Sequence, residues 1–131
     1  MAAASDYLEL KLLDHALGTA AFTAPTDVYV GLHTGSPADD DSGANEVTTS
    51  GSGYVRKVAA FAAASAGSAA TNATITFDAA TSNWGTITHI SLYDASAAGN
   101  LLFHGAVTTS KTIETGDTFQ ISSGNLTISL D

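Results

Sequence analysis

Four short apolar runs near the end of the chain decide its fold: T-I-T-H-I-S-L-Y at 86–93, L-L-F-H-G-A-V at 101–107, D-T-F-Q-I at 117–121 and N-L-T-I-S-L at 125–130. Turn-forming Gly, Asp, Asn, Ser and Thr residues separate them, and the longest separator runs from Thr108 to Gly116. Apolar runs of this length, bounded by such turns, are typical of strands in a compact β-sheet.

Three earlier runs add further strands: D-V-Y-V-G-L-H at 27–33, Y-V-R-K-V-A-A-F at 54–61 and A-T-I-T-F at 73–77. Residues 34–53 hold almost no large apolar side chain and predict a long exposed loop, and residues 62–72 predict a second loop of small residues. Seven or eight strands without helical crossovers predict a mainly β fold, an antiparallel β-sandwich of jelly-roll or immunoglobulin-like type.

One N-terminal helix is predicted over residues 6–17. Either Ser5 or Asp6 can cap its first turn, and with Asp6 as the cap Glu9 would complete a capping box. Gly18 is the expected stop, because glycine readily adopts the left-handed conformation that ends a helix.

The apolar side chains of this helix spread over an arc of about 200° at 100° per residue, which is wider than one sheet face normally covers. They are Leu8, Leu10, Leu12, Leu13, Ala16 and Leu17. Two interpretations remain open: the helix lies deep against its own domain, or part of the arc meets another subunit. On the second interpretation Leu8, Leu12 and Leu13 are candidate interface residues, together with the loop from Ser36 to Ser52.

The composition limits the classes of function. The 131 residues predict one domain, 1–131, and the absence of cysteine excludes disulfides and thiolate metal sites. Four basic against thirteen acidic residues give a net charge of -9, which should repel phosphate backbones and anionic headgroups. We therefore expect neither a nucleic-acid nor a membrane partner. The N-terminal residues resemble no signal peptide, and no apolar run reaches membrane-spanning length.

The acidic stretch around residues 39–46 is the best candidate for an ion site. Asp39, Asp41, Asn45 and Glu46 carry the hard oxygen ligands that Ca²⁺ prefers. Its spacing does not match a helix-loop-helix calcium site, because the fifth position is Gly43 rather than a ligand. A solvated loop is the competing interpretation, and we expect no cofactor.

No reaction centre is visible in the sequence. His33, His89 and His104 lie within strands and could converge in space, but the alternation of side chains predicts outward positions for His33 and His89. His15 lies on the helix. A serine hydrolase needs a positioned nucleophile, base and acid, and the G-x-S-x-G signature is absent. We therefore expect no enzymatic activity.

Trp84, in S-N-W-G-T, has two interpretations. It could stack on a sugar with help from Tyr29, Tyr54 and Tyr93, or it could anchor a core or an interface in a chain that is poor in bulky side chains. The second interpretation makes Trp84 a further candidate interface residue.

The order of several short patterns resembles small virion proteins of tailed bacteriophages, a group often described as tail fibre proteins. The patterns include V-Y-V-G-L-H-T at 28–34, T-F-D-A-A-T-S-N-W-G-T-I-T-H-I-S-L-Y-D-A at 76–95, G-N-L-L-F-H-G-A-V at 99–107 and G-D-T-F-Q-I at 116–121. The resemblance covers about residues 5–130 and rests on no catalytic signature.

The resemblance implies a non-enzymatic structural protein on the phage particle, with other virion proteins as partners and a homo-oligomeric state. A capsid decoration or cement protein bound to the major capsid protein is the favoured expectation, because the chain has no room for the shaft or heptads of a fibre. The alternative is a tail fibre or tail-tip component that takes part in host attachment, with carbohydrate as a candidate ligand.

Overall fold

The computed structural model describes residues 2–130, which form one helix and nine strands. The helix is α1 (Asp6–Ala16). The strands are β1 (Ala3–Ala4), β2 (Val28–His33), β3 (Lys57–Ala59), β4 (Ser68–Ala70), β5 (Ile75–Thr76), β6 (Gly85–Tyr93), β7 (Leu101–Ile113), β8 (Gln120–Ile121) and β9 (Thr127–Ser129).

The strands form one large sheet and two small ones. The large sheet has the order β1-β7-β6-β2-β3, and all of its neighbours are antiparallel. The pairs β4–β9 and β5–β8 make the small sheets. Residues of the large sheet and of the small sheets share one apolar core. The predicted mainly β, sandwich-like fold is therefore confirmed. The strand order establishes neither of the two expected topologies, jelly-roll or immunoglobulin-like.

Four aromatic side chains supply much of the bulk in this core. The rings of Tyr54 and Trp84 meet edge to face with centroids 5.5 Å apart, and Phe77 meets Phe119 in the same way at 5.8 Å. The indole Nε1–H of Trp84 donates to the carbonyl of Ser52 at 2.8 Å, so its polar atom is satisfied. Large aromatic area matters here because 68 of the 131 residues are Ala, Gly, Ser or Thr.

Helix α1 has the predicted stop and the simpler of the two predicted caps. Ser5 is the N-cap, and its Oγ accepts a hydrogen bond from the N–H of Leu8 at 3.2 Å. The capping box with Asp6 as cap is wrong, because Ser5 has the extended conformation of a cap and Asp6 already lies in the first turn. Gly18 follows the helix with a φ of +79°, as expected for its C-terminal end.

Two predicted loops contain strand. β7 continues through the expected turn at Thr108 and ends at Ile113, but with a wide bulge, since His89 pairs with Ala106 while Ile87 pairs with Lys111. The bulge accommodates Val107 and the polar residues 108–110 without ending the strand. β4 lies inside the expected loop 62–72, where the main chain of Ser68–Ala70 pairs with β9.

Candidate functional site

The second face of β2 is covered, contrary to the prediction that His33 lies on an outward surface. β2 lies between β3 and β6, and His33 is fully buried. The cause is the loop 34–53, which pairs with the edge of β2 and brings its Ala44 carbonyl and Glu46 side chain onto this face. Its Val47 N–H donates to the carbonyl of Leu32 at 3.0 Å, and Glu46 forms a β-bridge with His33. The expectation of a simply exposed loop is therefore wrong.

His33 joins this loop to the sheet in one defined tautomer. Its Nδ1 lies 2.8 Å from the carbonyl oxygen of Ala44, which can only accept, so Nδ1 carries the hydrogen. Burial lowers the pKa of His33 and favours the neutral ring. The free Nε2 then accepts a hydrogen bond from the hydroxyl of Ser91 at 2.8 Å.

A paired arginine lies beside His33. Glu46 Oε2 accepts from Arg56 Nε at 2.7 Å, and Oε1 accepts from Arg56 Nη2 at 2.7 Å, so the ion pair is bidentate. The remaining Nη1 donates to the carbonyls of Ala95 and Ala98 at 3.1 and 2.8 Å. The guanidinium also stacks on the ring of Tyr93, 3.5 Å from its centroid. The loops 34–53 and 94–100 are thus fastened to one cation.

Tyr54 completes the cluster from the core side. Its hydroxyl donates to Glu46 Oε2 at 2.7 Å and accepts from the N–H of Leu32 at 3.0 Å. Burial and the nearby carboxylate raise the pKa of Tyr54 far above its usual range. Burial alone would raise the pKa of Glu46, but the hydrogen bonds and charge of Arg56, with the Tyr54 hydroxyl, outweigh it and hold that pKa below its ordinary value.

The contact between Ser91 and His33 has the atoms of a nucleophile and its base, but not their surroundings. Both residues are fully buried, and the second ring nitrogen of His33 donates to a carbonyl rather than to a carboxylate. No attacking oxygen reaches solvent at this position. The pair connects β2 to β6 and to the covering loop.

The four calcium candidates have four different partners. Asp39 pairs with His104, Asp41 Oδ1 accepts from the N–H of Leu101 at 2.5 Å, and Glu46 is paired with Arg56. The amide of Asn45 donates to the carbonyl of Ser36 at 3.0 Å. Residues 2–130 contain no group of three or more His, Asp or Glu side chains placed to hold a metal ion. Asp39 and Asp41 connect the loop to β7, Glu46 connects it to the residue before β3, and Asn45 makes a contact within the loop, so the four side chains do not converge.

The aromatic residues proposed for sugar stacking lie inside the protein. Trp84, Tyr54 and Tyr93 are 5%, 1% and 2% exposed, and Tyr29 is half-buried. Because three of the four rings are covered by the core or by Arg56, they offer no platform to a sugar. The interpretation of Trp84 as a packing anchor agrees with its position.

Helix α1 has two apolar faces, which explains its wide apolar arc. Leu8 is 4% exposed and Leu12 is half-buried, so this side lies against the protein. Leu10, Leu13 and Leu17 are 65%, 56% and 75% exposed. Of the predicted interface residues, Leu13 is open to a partner, whereas Leu8 and Trp84 are part of the interior. Leu10 and Leu17 belong to the same predicted arc and are also exposed, but they were not among the predicted interface residues.

Comparison with known proteins identifies the family of the chain. No helix within residues 2–130 is long and apolar enough to cross a membrane. No curated protein matches the chain closely enough to be counted as a relative. Residues 3–129 match the model of the family Gp80, described as podophage GP4 fiber I protein gp80. The chain therefore belongs to this family of phage fibre proteins, and its place is in the virion.

Proposed function

We propose that the protein is a non-enzymatic structural component of a phage tail fibre, which holds to neighbouring virion proteins through its surface. The family match carries this proposal, because it extends over residues 3–129 and so includes the helix, all three sheets and the loop 34–53.

The arrangement of polar side chains supports a structural role. The groups that could do chemistry are used in internal contacts: Ser91 with His33, Glu46 with Arg56, and Asp39 with His104. Internal hydrogen bonds of this kind fix the position of a loop on a sheet.

The family description favours the fibre over the capsid decoration protein that the sequence first suggests. The argument against a fibre was the lack of a shaft, and that argument fails if this chain is one part of a fibre built from several proteins. The homo-oligomeric state stays a prediction, which light scattering on the purified protein measures.

Localisation on the particle tests the proposal. Purified virions are separated into heads and tails, and an antibody against this protein is used for blotting and for gold labelling. We expect the protein in the tail fraction, with gold on fibres around the tail. Label confined to heads would overturn the fibre assignment in favour of capsid decoration. Particles from a phage that lacks the gene provide the negative control.

A further inference from the structure

We propose that the outer face of α1 docks into an apolar groove of a different virion protein, and that Lys or Arg side chains border this groove. The inference rests on the proposed function, because it names the kind of partner through which the protein would be held in the fibre.

Three leucines form the centre of the proposed contact. Leu10, Leu13 and Leu17 are each more than half exposed. At about 100° per residue they fall within a stripe roughly 60° wide, on the side of the helix opposite Leu8. Their spacing of three and four residues is the spacing by which a helix fills a groove. These three are half of the six large apolar side chains that the structure leaves exposed within residues 2–130, and a cluster of this kind marks a contact site.

Acidic side chains border the stripe. Glu9 lies next to Leu13 around the helix, Asp14 lies next to Leu10, and Asp6 lies in line with the stripe at its N-terminal end; all three are exposed. The basic side chain of α1, Lys11, lies about 100° away from Leu10 and over the ring of Tyr7. The surface therefore has an apolar centre and a rim of one sign, which favours a partner of the opposite sign.

A second copy of this chain does not fit that requirement. The chain has four basic residues, of which Arg56 is paired with Glu46 and Lys57 with Asp78. A symmetric contact between two α1 helices would set Glu9 and Asp14 against the same acidic residues of the copy. Since the whole chain carries a net charge of -9, a like copy is also repelled at longer range.

Binding to particles that lack the protein tests the inference. Heads and tails are isolated separately from a phage with the gene deleted, immobilised, and exposed to the purified chain in a biosensor. We expect the wild-type chain to bind, with an association rate that falls as ionic strength rises. A triple variant, L10S/L13S/L17S, should bind at least about a hundredfold more weakly, because it removes the buried centre of the contact.

Charge variants test the sign of the partner. The variant E9K/D14K should associate at least about tenfold more slowly at low salt, and its rate should rise rather than fall with ionic strength. Its matched control is D27K/E114K, which changes the net charge equally at exposed positions outside α1. The control for the leucines is V55S/V58S, which removes two exposed apolar side chains near β3. Circular dichroism verifies that each variant is folded.

Four outcomes would overturn the inference: no binding of the wild-type chain to either fraction, full binding by the leucine variant, equal effects of E9K/D14K and D27K/E114K, or a wild-type self-association that L10S/L13S/L17S abolishes. Binding to heads that still depends on the leucines would contradict the tail assignment and leave the helix contact standing. Binding to tails that does not depend on the leucines would leave the tail assignment standing and contradict the helix contact. The two proposals can therefore fail separately.

Discussion

The carboxylate of Glu46 lies 2.7 Å from both Nε and Nη2 of Arg56, with only 19% and 7% of the two side chains exposed. Arg56 lies just before β3, and Glu46 lies in the loop that covers β2, so this ion pair closes the loop over the sheet. Removal of one partner from a buried pair leaves a charge without compensation, which is costly.

We therefore expect Glu46→Gln to lower the free energy of unfolding by about 3 kcal/mol. The matched control is Lys57→Ala, which breaks the exposed pair with Asp78 and should cost less than about 1 kcal/mol. Urea unfolding followed by Trp84 fluorescence measures both. Equal losses in the two variants would contradict a structural role of the buried pair.

The neutral state of His33 predicts a dependence of stability on pH. Because its pKa is lowered on folding, the unfolded chain binds more protons than the folded chain between the folded pKa and the ordinary value of 6.5. Stability should therefore fall as the pH drops below about 6.5 and level off below the folded pKa. His15→Gln, at an exposed helix position, serves as the control and should keep this dependence.

An NMR titration of the ring protons assigns that effect to its residue. The midpoint of the His33 titration should lie below pH 6.5. A midpoint above that pH would refute the neutral tautomer described for the contacts of His33 with Ala44 and Ser91.

Glu46 predicts a second, more acidic pH range in which the unfolding free energy changes. Its pKa is depressed below 4.5, so the stability it contributes is present above that pH and is lost as the pH falls through the folded pKa. Glu46→Gln should flatten the pH dependence of the unfolding free energy in this range. The dependence due to His33 should persist and extend to lower pH, because the Glu46 charge raises the pKa of His33 and its removal lowers that pKa further. If the variant keeps the wild-type pH dependence of the unfolding free energy below pH 4.5, this role of Glu46 is contradicted.

Gly31 predicts a steric effect in the middle of β2. A Cβ at this position would lie 2.6 Å from Ser91 Oγ and 3.0 Å from Glu46 Oε2. Gly31→Ala should therefore cost about 2 kcal/mol of unfolding free energy by overpacking. In the double variant with Ser91→Ala the closest atom is absent. The loss of unfolding free energy measured for the double variant should therefore be smaller than the sum of the losses of the two single variants. Strict additivity would show that the clash is relieved in some other way.

The two faces of α1 predict a large and a small loss of stability for the same leucine-to-alanine substitution. Leu8→Ala should lower the free energy of unfolding by about 3 kcal/mol, because it opens a cavity beneath the helix. Leu10→Ala removes an exposed side chain and should change it by less than about 0.5 kcal/mol. Thermal unfolding of the two variants side by side is the measurement. A large loss for Leu10→Ala would mean that the outer face is covered within the chain itself.

Local patterns predicted those elements whose causes are local. The helix, its stop at Gly18 and strands β2 and β6 follow from periodicity and from turn residues that lie within a few positions. The length of β7 was missed because the polar residues from Thr108 onward resemble a turn and are tolerated only next to a bulge against β6. β4 was missed because Ser68–Ala70 carries no bulky side chain, and its pairing depends on main-chain hydrogen bonds to β9.

The burial of His33 could not be predicted from the sequence, for a different reason. Alternation along β2 correctly separates Val30 and Leu32 from Gly31 and His33, but it cannot tell that a loop covers the second side. That cover depends on the contact of Glu46 with Arg56, ten residues later, and of His33 with Ser91, 58 residues later. Long-range polar contacts of this kind leave no periodic signal.

The contacts of Ser5 connect helix α1 mechanically to the large sheet. This fully buried residue caps α1, donates its N–H to the carbonyl of Leu102 at 2.9 Å and its hydroxyl to the carbonyl of Leu101, and directly follows β1. A force applied to the outer face of the helix therefore enters the large sheet at the start of its longest strand. Detachment of the helix from the sheet is resisted by Ser5 together with the pairing of β1 with β7 and the buried side chain of Leu8.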